Sequence, residues 1–271
     1  MPLMNKITQL FTRPPRVAVI RLSGVIGSGP RAALSDEGMA PLIDRAFRRG
    51  KPAAVALVIN SPGGSPVQSA LIGARIRRLA DEKKIPVHAF VEDVAASGGY
   101  WLACAADDIH VDAASIVGSI GVISAGFGAH ELLARQGVER RVYTAGKSKS
   151  MLDPFRPENP DDVTRLKALL EDMHAIFIDW VKSRRGAKLA DQDLFTGEVW
   201  LGAAAQKLGL VDGIGTLEPW LKARYGDKVR LMRLSRRRGW MPRIGLSLGA
   251  GLAEDTLAAL DERAHWARFG L

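Results

Sequence analysis

A serine in a run of small residues is the first candidate for chemistry in this sequence. Ser97 lies within Ala95–Gly99, between the apolar strand pattern Val87–Val91 and the apolar helical pattern Tyr100–Ala106. Small residues on both sides predict a tight strand-to-helix turn, which can expose a serine hydroxyl as a nucleophile at a helix N-terminus. A serine in this place can also serve as a plain helix cap. Ser97 therefore predicts acyl-transfer chemistry only if an oxyanion site and a base accompany it.

A second small-residue turn supplies candidate backbone donors for an oxyanion. Asn60–Gly64 reads Asn-Ser-Pro-Gly-Gly and directly follows the apolar strand pattern Ala54–Ile59. Open α/β sheets place their sites at the carboxyl ends of strands, and paired glycines leave backbone N–H groups unshielded. We expect the N–H groups of Gly64 and Gly98 to hold a tetrahedral oxyanion together. A plain reverse turn also uses Pro-Gly-Gly, so this motif indicates an oxyanion site only in combination with a nucleophile and a base.

The base for a serine nucleophile is a lysine or a histidine. Histidine is the usual choice, but none of the five histidines lies in a convincing catalytic loop. They are His88, His110, His130, His174 and His265. Lysine is the recognised alternative when burial keeps it neutral, and Thr144–Ser150 contains Lys147 and Lys149 directly after a predicted strand at Arg141–Tyr143. Either lysine is a candidate base, and two solvated loop lysines are the plain alternative.

Short apolar runs alternate with amphipathic helical patterns along the chain. The predicted strands are Val17–Leu22, Ala54–Ile59, Val87–Val91, Ile109–Val111 and Arg141–Tyr143. This alternation predicts βαβ units, and therefore an α/β fold with a mostly parallel sheet flanked by helices.

The clearest single helix should begin after Asn159, which can cap it, with Pro160 at the first helical position. Its apolar residues recur at steps of three and four, which predicts a stripe that packs against the sheet or against another subunit. The stripe consists of Val163, Leu166, Leu170, Met173, Phe177 and Trp180.

The amino-acid composition limits the classes of protein to which this chain can belong. At 271 residues, with 47% hydrophobic and 25% charged residues, the chain can bury a sizeable core and is not expected to be disordered. The single cysteine, Cys104, cannot form an intramolecular disulfide and is expected to be a small core residue. The sequence shows neither a secretory signal nor an uninterrupted apolar run of about 18 residues. We therefore expect a cytoplasmic protein without a transmembrane helix.

The two ends differ from the single domain that we expect over residues 16–233. Residues 1–15 form an amphipathic segment, and residues 234–271 form an extension that contains part of a basic cluster and Trp240. With a net charge of +9 for the chain, these ends predict either peripheral contact with an anionic membrane or solvated tails. Nucleic-acid binding is not predicted, because the basic cluster has a single aromatic neighbour and no reading motif.

Four motifs stand in a fixed order along the chain. They are Asn60–Gly64, Ala96–Trp101, Gly118–Val122 and Ala145–Lys149. In order and spacing they resemble the signal peptide peptidase A family, including its SohB-like branch, and the resemblance runs from about Val17 to Met232. It implies a Clp protease/crotonase-like fold of the ββα type and hydrolysis of peptide bonds by a Ser/Lys dyad.

The resemblance also assigns roles by position. Ser97 matches the nucleophile, and Lys149, the second lysine of its loop, matches the base. Gly64 and Gly98 match the oxyanion donors, and Ser119 matches a serine that orients the lysine. The implied reaction needs no metal and no cofactor. The implied substrates are signal-peptide remnants or other short apolar or misfolded peptides, and the implied assembly is a homo-oligomer whose neighbouring subunits share the active site.

Two other functions fit part of the sequence. A crotonase-like acyl-CoA enzyme also presents two backbone N–H groups to a thioester oxyanion, but it would need neither Ser97 nor Lys149. A non-catalytic scaffold would bind a membrane or partner proteins through the two ends of the chain. Family members usually carry an N-terminal transmembrane anchor, and the amphipathic residues 1–15 stand in its place here.

Overall fold

The chain folds around an eight-stranded sheet in a computed structural model that describes residues 14–28, 33–146, 148–235 and 263–271. The strands are β1 (Arg16–Ser23), β2 (Ala54–Ser61), β3 (Val87–Ala96), β4 (Asp108–Val111), β5 (Ile116–Gly118), β6 (Val199–Leu201), β7 (Gly213–Ile214) and β8 (Arg230–Leu234). Their order is β6-β5-β3-β2-β1-β8, with β4 beside β3 and β7 beside β4. The β5–β6 pair is antiparallel, and the other described pairs are parallel. The predicted mostly parallel α/β sheet is confirmed.

Helices cover this sheet, so its central strands are buried and their sequences are apolar. The helices are α1 (Asp36–Arg48), α2 (Pro66–Lys83), α3 (Gly98–Ala103), α4 (His130–Arg135), α5 (Pro160–Arg185), α6 (Gly202–Lys207) and α7 (Leu217–Tyr225). One face of β1, β2 and β3 packs against α7 through Val17, Val19, Phe90 and Leu221. A strand that is buried on both faces has the near-continuous apolar sequence that β2 shows.

The packing of the chain divides into two compact units. The first consists of Met1–Ile120 and Trp180–Leu271, as far as these residues are described, and it contains the whole sheet. The second is Gly121–Asp179, which contains α4 and most of α5. The boundary between the units falls within α5. Residues 1–15 and 234–271 lie largely outside the described residues, so the separate roles predicted for them stay predictions.

Four of the five predicted strands are confirmed, at β1, β2, β3 and β4. The predicted strand Arg141–Tyr143 is wrong, because this segment has no strand partner among the described residues and the Tyr143 ring is 90% exposed. Val142 is the single aliphatic residue of the triplet, and the triplet shows no alternation of apolar and polar residues, so its sequence does not require a strand.

The helix predicted after Asn159 is confirmed as α5. The Asn159 Oδ1 accepts a hydrogen bond from the Asp161 N–H at 2.9 Å, as a capping residue does. The apolar stripe is buried at Phe177 but not along its whole length, since Met173, which belongs to it, is exposed, as are Leu169 and Ile176 beside it on the same helix. The stripe therefore leaves apolar surface uncovered in a single copy of the chain.

Cys104 is a core residue, as predicted. It is 1% exposed, and burial raises the pKa of its thiol to about 12, which keeps it in the unreactive protonated form. Within residues 14–28, 33–146, 148–235 and 263–271, no helix is both long and apolar enough to span a membrane.

A partly buried polar cluster lies between α7 and the first residues of β3 and β4. His88 Nδ1 contacts Asp108 Oδ1 at 2.8 Å, and His88 Nε2 lies 2.7 Å from the Tyr225 hydroxyl. His110 Nε2 lies 3.2 Å from the same carboxylate, and the Trp220 ring packs on both imidazoles. Burial raises the pKa of Asp108, but the imidazoles of His110 and His88 outweigh it and hold the pKa well below its usual range.

We expect Asp108→Asn to lower the free energy of unfolding at pH 7 by about 1–3 kcal/mol, the usual loss when a buried polar partner is removed. A native-state pKa below the unfolded value means that the ionised carboxylate stabilises the fold fully above about pH 4. The difference between the wild type and the variant should therefore shrink as the pH falls below that value.

Urea unfolding at pH 7, 5, 4 and 3 measures this difference. The exposed carboxylate of Asp227 provides a matched control, since Asp227→Asn removes the same charge from α7's neighbourhood without touching the cluster. A constant difference from pH 7 to pH 3 would contradict the role assigned to Asp108.

Candidate active site

Ser97 stands between β3 and α3 in a backbone conformation that serine rarely adopts. Its φ is 51° and its ψ is −120°, and such a conformation costs about 1–3 kcal/mol. The Ser97 hydroxyl makes no capping hydrogen bond to α3, so the plain helix-cap alternative is wrong. All six residues of α3 are buried, while Ser97 is half-buried. The strained turn thus presents a hydroxyl in the manner of a nucleophile at a strand-to-helix turn.

The turn Asn60–Gly64 packs directly against the Ser97 turn. A methyl group at Gly63 would lie 2.9 Å from the Ala96 carbonyl oxygen and 2.9 Å from the Gly98 nitrogen, closer than real side chains come. The two turns fit together because position 63 carries no side chain. Gly63 was not predicted as a site residue, although the doubled glycine in the sequence was an available signal.

Two backbone donors in these turns are not used to build the fold. The N–H groups of Gly64 and Gly98 have no acceptor among the described residues, whereas the N–H of Gly63 donates to Ser61 Oγ at 3.2 Å. Two uncommitted N–H groups beside a serine are the arrangement that an oxyanion site requires.

Two polar side chains brace the glycine turn. Asn60 Nδ2 donates to Asp93 at 2.6 Å, and Asn60 Oδ1 accepts from the Val94 N–H at 3.2 Å. Ser61 Oγ donates to the Gly24 carbonyl oxygen at 2.7 Å. These bonds tie the turn to β3 and to the segment after β1. These bracing roles of Asn60 and Ser61 could not be predicted, because the hydrogen-bond partners are distant along the chain.

Ser119 lies beside Ser97 at the end of β5. The Gly118 carbonyl accepts from the Ser97 N–H at 2.8 Å, and the Ser119 N–H donates to the Glu198 carbonyl at 2.6 Å. Ser119 is buried and also has a positive φ, of 51°. Within the described part of the chain its hydroxyl has no hydrogen-bond partner. The structure therefore brings Ser119 to the same sheet edge as Ser97 and the two glycine donors.

Lys149 belongs to the second compact unit. It lies in a turn that its N–H closes by donating to the Gly146 carbonyl at 3.2 Å, and its side chain is exposed. Because the preceding strand is absent, the predicted place of this loop at a strand end is wrong. Lys147, the other candidate base, lies outside the described residues. The pairing of a lysine with Ser97 stays a prediction.

Other polar sites are separate from this edge. His88 and His110 belong to the Asp108 cluster, and no group of His, Cys, Asp or Glu side chains in the described ranges could hold a metal ion. A cavity of about 890 Å³ lies on the α7 side of the sheet, over Val19 and Val58, and no predicted site residue lines it.

Known proteins match the chain in sequence. The model of the family described as peptidase family S49 matches residues 80–226. The Na(+)/H(+) antiporter NhaA of Brucella abortus (strain 2308) is 50% identical over 271 residues, which cover 94% of this chain and 37% of that protein. The chloroplastic serine protease SPPA of Arabidopsis thaliana is 31% identical over 253 residues, which cover 88% of this chain and 37% of that protein. The chain thus spans 37% of the length of each of these relatives.

A solved structure supports the fold. A mutant of the 1510-N membrane-bound stomatin-specific protease matches with a TM-score of 0.50 and 16% sequence identity, over 83% of this chain and 99% of that one. At this identity the likeness shows the shared fold and nothing finer.

Proposed function

The chain belongs to peptidase family S49, and we propose from this premise that it is a serine endopeptidase in which Ser97 is the nucleophile and Lys149 the general base. One observation carries the proposal: Ser97 is held at a positive φ in a strand-to-helix turn, beside two glycine N–H groups that have no acceptor in the described structure. A strained serine next to uncommitted donors fits acyl transfer better than it fits a structural turn.

The proposed reaction proceeds in two halves. In the first, neutral Lys149 takes the proton of the Ser97 hydroxyl, and the serine oxygen attacks a peptide carbonyl. The N–H groups of Gly64 and Gly98 stabilise the oxyanion, the C–N bond breaks, and the protonated lysine gives its proton to the leaving amine. In the second half, water attacks the acyl enzyme and releases the acid and the free serine. Ser119, at the same edge as Ser97, would orient the lysine.

Labelling with a fluorophosphonate probe tests this proposal. We expect intact-mass and peptide mass spectrometry to find one probe molecule per native chain, attached to Ser97. Urea-denatured protein is the control, because a serine that depends on its folded surroundings should lose its reactivity there. Absence of labelling together with tight CoA binding would favour the crotonase-like enzyme, and absence of both would favour the scaffold.

The substrate proposal follows from the family resemblance. The chain would cut signal-peptide remnants or other short apolar or misfolded peptides. The proposed location is the cytoplasm, with peripheral contact to an anionic membrane through residues 1–15 or 234–271. Because residues 1–13 and 236–262 lie outside the described structure, these assignments rest on the sequence.

Exposed apolar side chains support a homo-oligomer. They are concentrated in the second compact unit, where large hydrophobic side chains face solvent in a single copy. These residues are Ile123, Phe127, Leu132, Val138, Tyr143, Leu152, Phe155, Leu169, Met173 and Ile176. Large apolar side chains that face solvent mark an interaction surface when they form a contiguous patch. We propose that copies of the chain associate through the second unit, and that Lys149 reaches a Ser97 of its own or a neighbouring copy.

Sedimentation velocity tests this assembly, with Phe127→Asp as the disruptive variant because the Phe127 ring is 94% exposed. We expect the wild type to sediment as an oligomer and Phe127→Asp to shift it toward the monomer. Lys207→Asp, an exposed position in the first unit, is the control and should leave the oligomer intact. A wild-type monomer at all concentrations would contradict the proposal.

A further inference from the structure

The short helix that follows Ser97 is held at its far end by side chains from α5 and α2. Three carbonyls of α3 accept hydrogen bonds from backbone N–H groups just after the helix: the oxygens of Tyr100, Leu102 and Ala103. Four others accept from side chains: the oxygens of Trp101, Cys104, Ala105 and Ala106. Helices normally leave their last carbonyls to water or to caps. Here every carbonyl from residue 100 to residue 106 has a protein donor.

Trp180 and Arg184 supply most of these donors. Trp180 Nε1 donates to the Trp101 carbonyl at 3.0 Å, and its ring stacks on the Trp101 ring with the centroids 5.7 Å apart. Arg184 Nε donates to the Cys104 carbonyl at 2.9 Å, and Arg184 Nη2 donates to the Ala106 carbonyl at 3.1 Å. The two residues are one helical turn apart on α5 and therefore share a face.

Neighbouring contacts complete this arrangement. Arg77 Nη1, from α2, donates to the Ala105 carbonyl at 3.1 Å, so two guanidinium groups face the carbonyl end of α3, where positive charge is favourable. A methyl group at Gly73 on α2 would lie 3.3 Å from the Trp101 ring, so α2 leaves space for that ring. Tyr100 donates from its hydroxyl to the Leu210 carbonyl at 2.7 Å.

We propose that Trp180 and Arg184 are positioning residues for the nucleophile, a role that rests on the proposed peptidase function. The helix α3 has six residues, about 9 Å at 1.5 Å per residue, and Ser97 directly precedes it. Any tilt of its C-terminal end therefore moves both the serine hydroxyl and the Gly98 N–H. Misplacement of a catalytic group by about 1 Å can cost about 100-fold in rate.

Conservative substitutions test this role. Trp180→Phe keeps an aromatic ring on Trp101 but loses the N–H donor, and Arg184→Lys keeps the charge but loses the rigid guanidinium fork that spans the two carbonyls. We expect each to lower kcat per titrated active site by about 10-fold or more, with KM within about 2-fold of the wild type. Active sites are counted by titration with the fluorophosphonate probe, so that misfolded molecules do not enter the rate.

Matched controls separate positioning from general destabilisation. Trp220→Phe alters a half-buried tryptophan that packs on His88 and not on α3, and Arg78→Lys alters an exposed arginine of α2. Both controls should keep the wild-type rate per titrated site. Equal loss of rate in the controls, or a wild-type rate per site in Trp180→Phe and Arg184→Lys, would overturn the proposal.

Hydrogen exchange distinguishes failure of the positioning role from failure of the peptidase function. The Trp101 N–H donates to the Ser97 carbonyl at 3.0 Å, and we expect this amide and that of Cys104 to exchange at least about 10-fold faster in Trp180→Phe and in Arg184→Lys, while amides of β2 stay unchanged. Unchanged exchange overturns the positioning role whether or not the chain is a peptidase. A different outcome is that exchange is faster in both variants while Ser97→Ala keeps full peptidase activity. That outcome would refute the proposed function and the catalytic part of the role, and Trp180 and Arg184 would then only stabilise α3.

Discussion

Ser97→Ala and Lys149→Ala should each lower kcat/KM for peptide hydrolysis by at least about 10³-fold, and the double variant should lose no more than the worse single variant. Residues that act as one unit show this non-additivity, because the remaining partner has no function without the other. The residual rate would come from the glycine donors and from substrate binding. Steady-state kinetics on a fluorogenic peptide, with protein concentrations corrected for the folded fraction, measures these effects.

Lys147→Ala is the control that the chain itself provides, two positions away in the same loop. We expect it to stay within about 3-fold of the wild type, since its removal leaves the proton acceptor in place. A large loss in Lys147→Ala with little loss in Lys149→Ala would reverse the assignment of the base. Full activity in both variants would remove lysine from the mechanism.

Complementation tells whether the dyad forms within one copy or between two. We expect Ser97→Ala and Lys149→Ala each to be inactive alone, so mixed oligomers should regain activity if the serine of one copy meets the lysine of another. Recovery would support the shared active site, and its absence in verified mixed oligomers would place both residues in the same copy.

The fold was largely accessible from the sequence because buried parallel strands carry a strong signal. The run Ala54–Ile59 is apolar at every position, and β2 extends it by two residues, into Ser61. The triplet Arg141–Tyr143 gave a wrong strand because three residues cannot show a period. Strands β6 and β7, of three and two residues, were not predicted for the same reason. They depend on pairing with strands far away in the chain.

The candidate site was accessible only in part. Ser97 could be predicted because the small residues that permit a strained turn are its neighbours in sequence. The bracing of the glycine turn by Asn60, and the clamp by Trp180 and Arg184, could not, because these donors reach carbonyls or carboxylates more than thirty positions away. The apolar stripe of α5 indicated that Trp180 faces other residues, but a stripe does not specify a hydrogen bond from its indole. The loop sequence offered Lys147 and Lys149 as equal candidates, and only the family resemblance chose Lys149.

Gly64→Ala should lower kcat per titrated active site by about 10²–10³-fold, the usual loss when one oxyanion donor is removed. A methyl group at Gly64 would lie 2.0 Å from the Ile26 carbonyl oxygen, and its φ of 136° is one that residues with side chains rarely adopt. The turn must therefore shift, and the Gly64 N–H must leave its place beside Ser97. Burst kinetics with the probe, followed by turnover of a peptide, gives the rate per intact site.

Gly226→Ala isolates the backbone strain from this displacement. Gly226 also has a positive φ, of 88°, but a methyl group there would meet nothing within 4 Å. Gly226→Ala should lower the free energy of unfolding by about 1 kcal/mol and leave the rate per titrated site unchanged. If Gly64→Ala behaves like Gly226→Ala, the Gly64 N–H does not hold the oxyanion. If Gly64→Ala loses rate per site while Gly226→Ala does not, a positive φ alone cannot be the cause, and the loss follows from displacement of the turn that carries the Gly64 N–H and packs against Ser97.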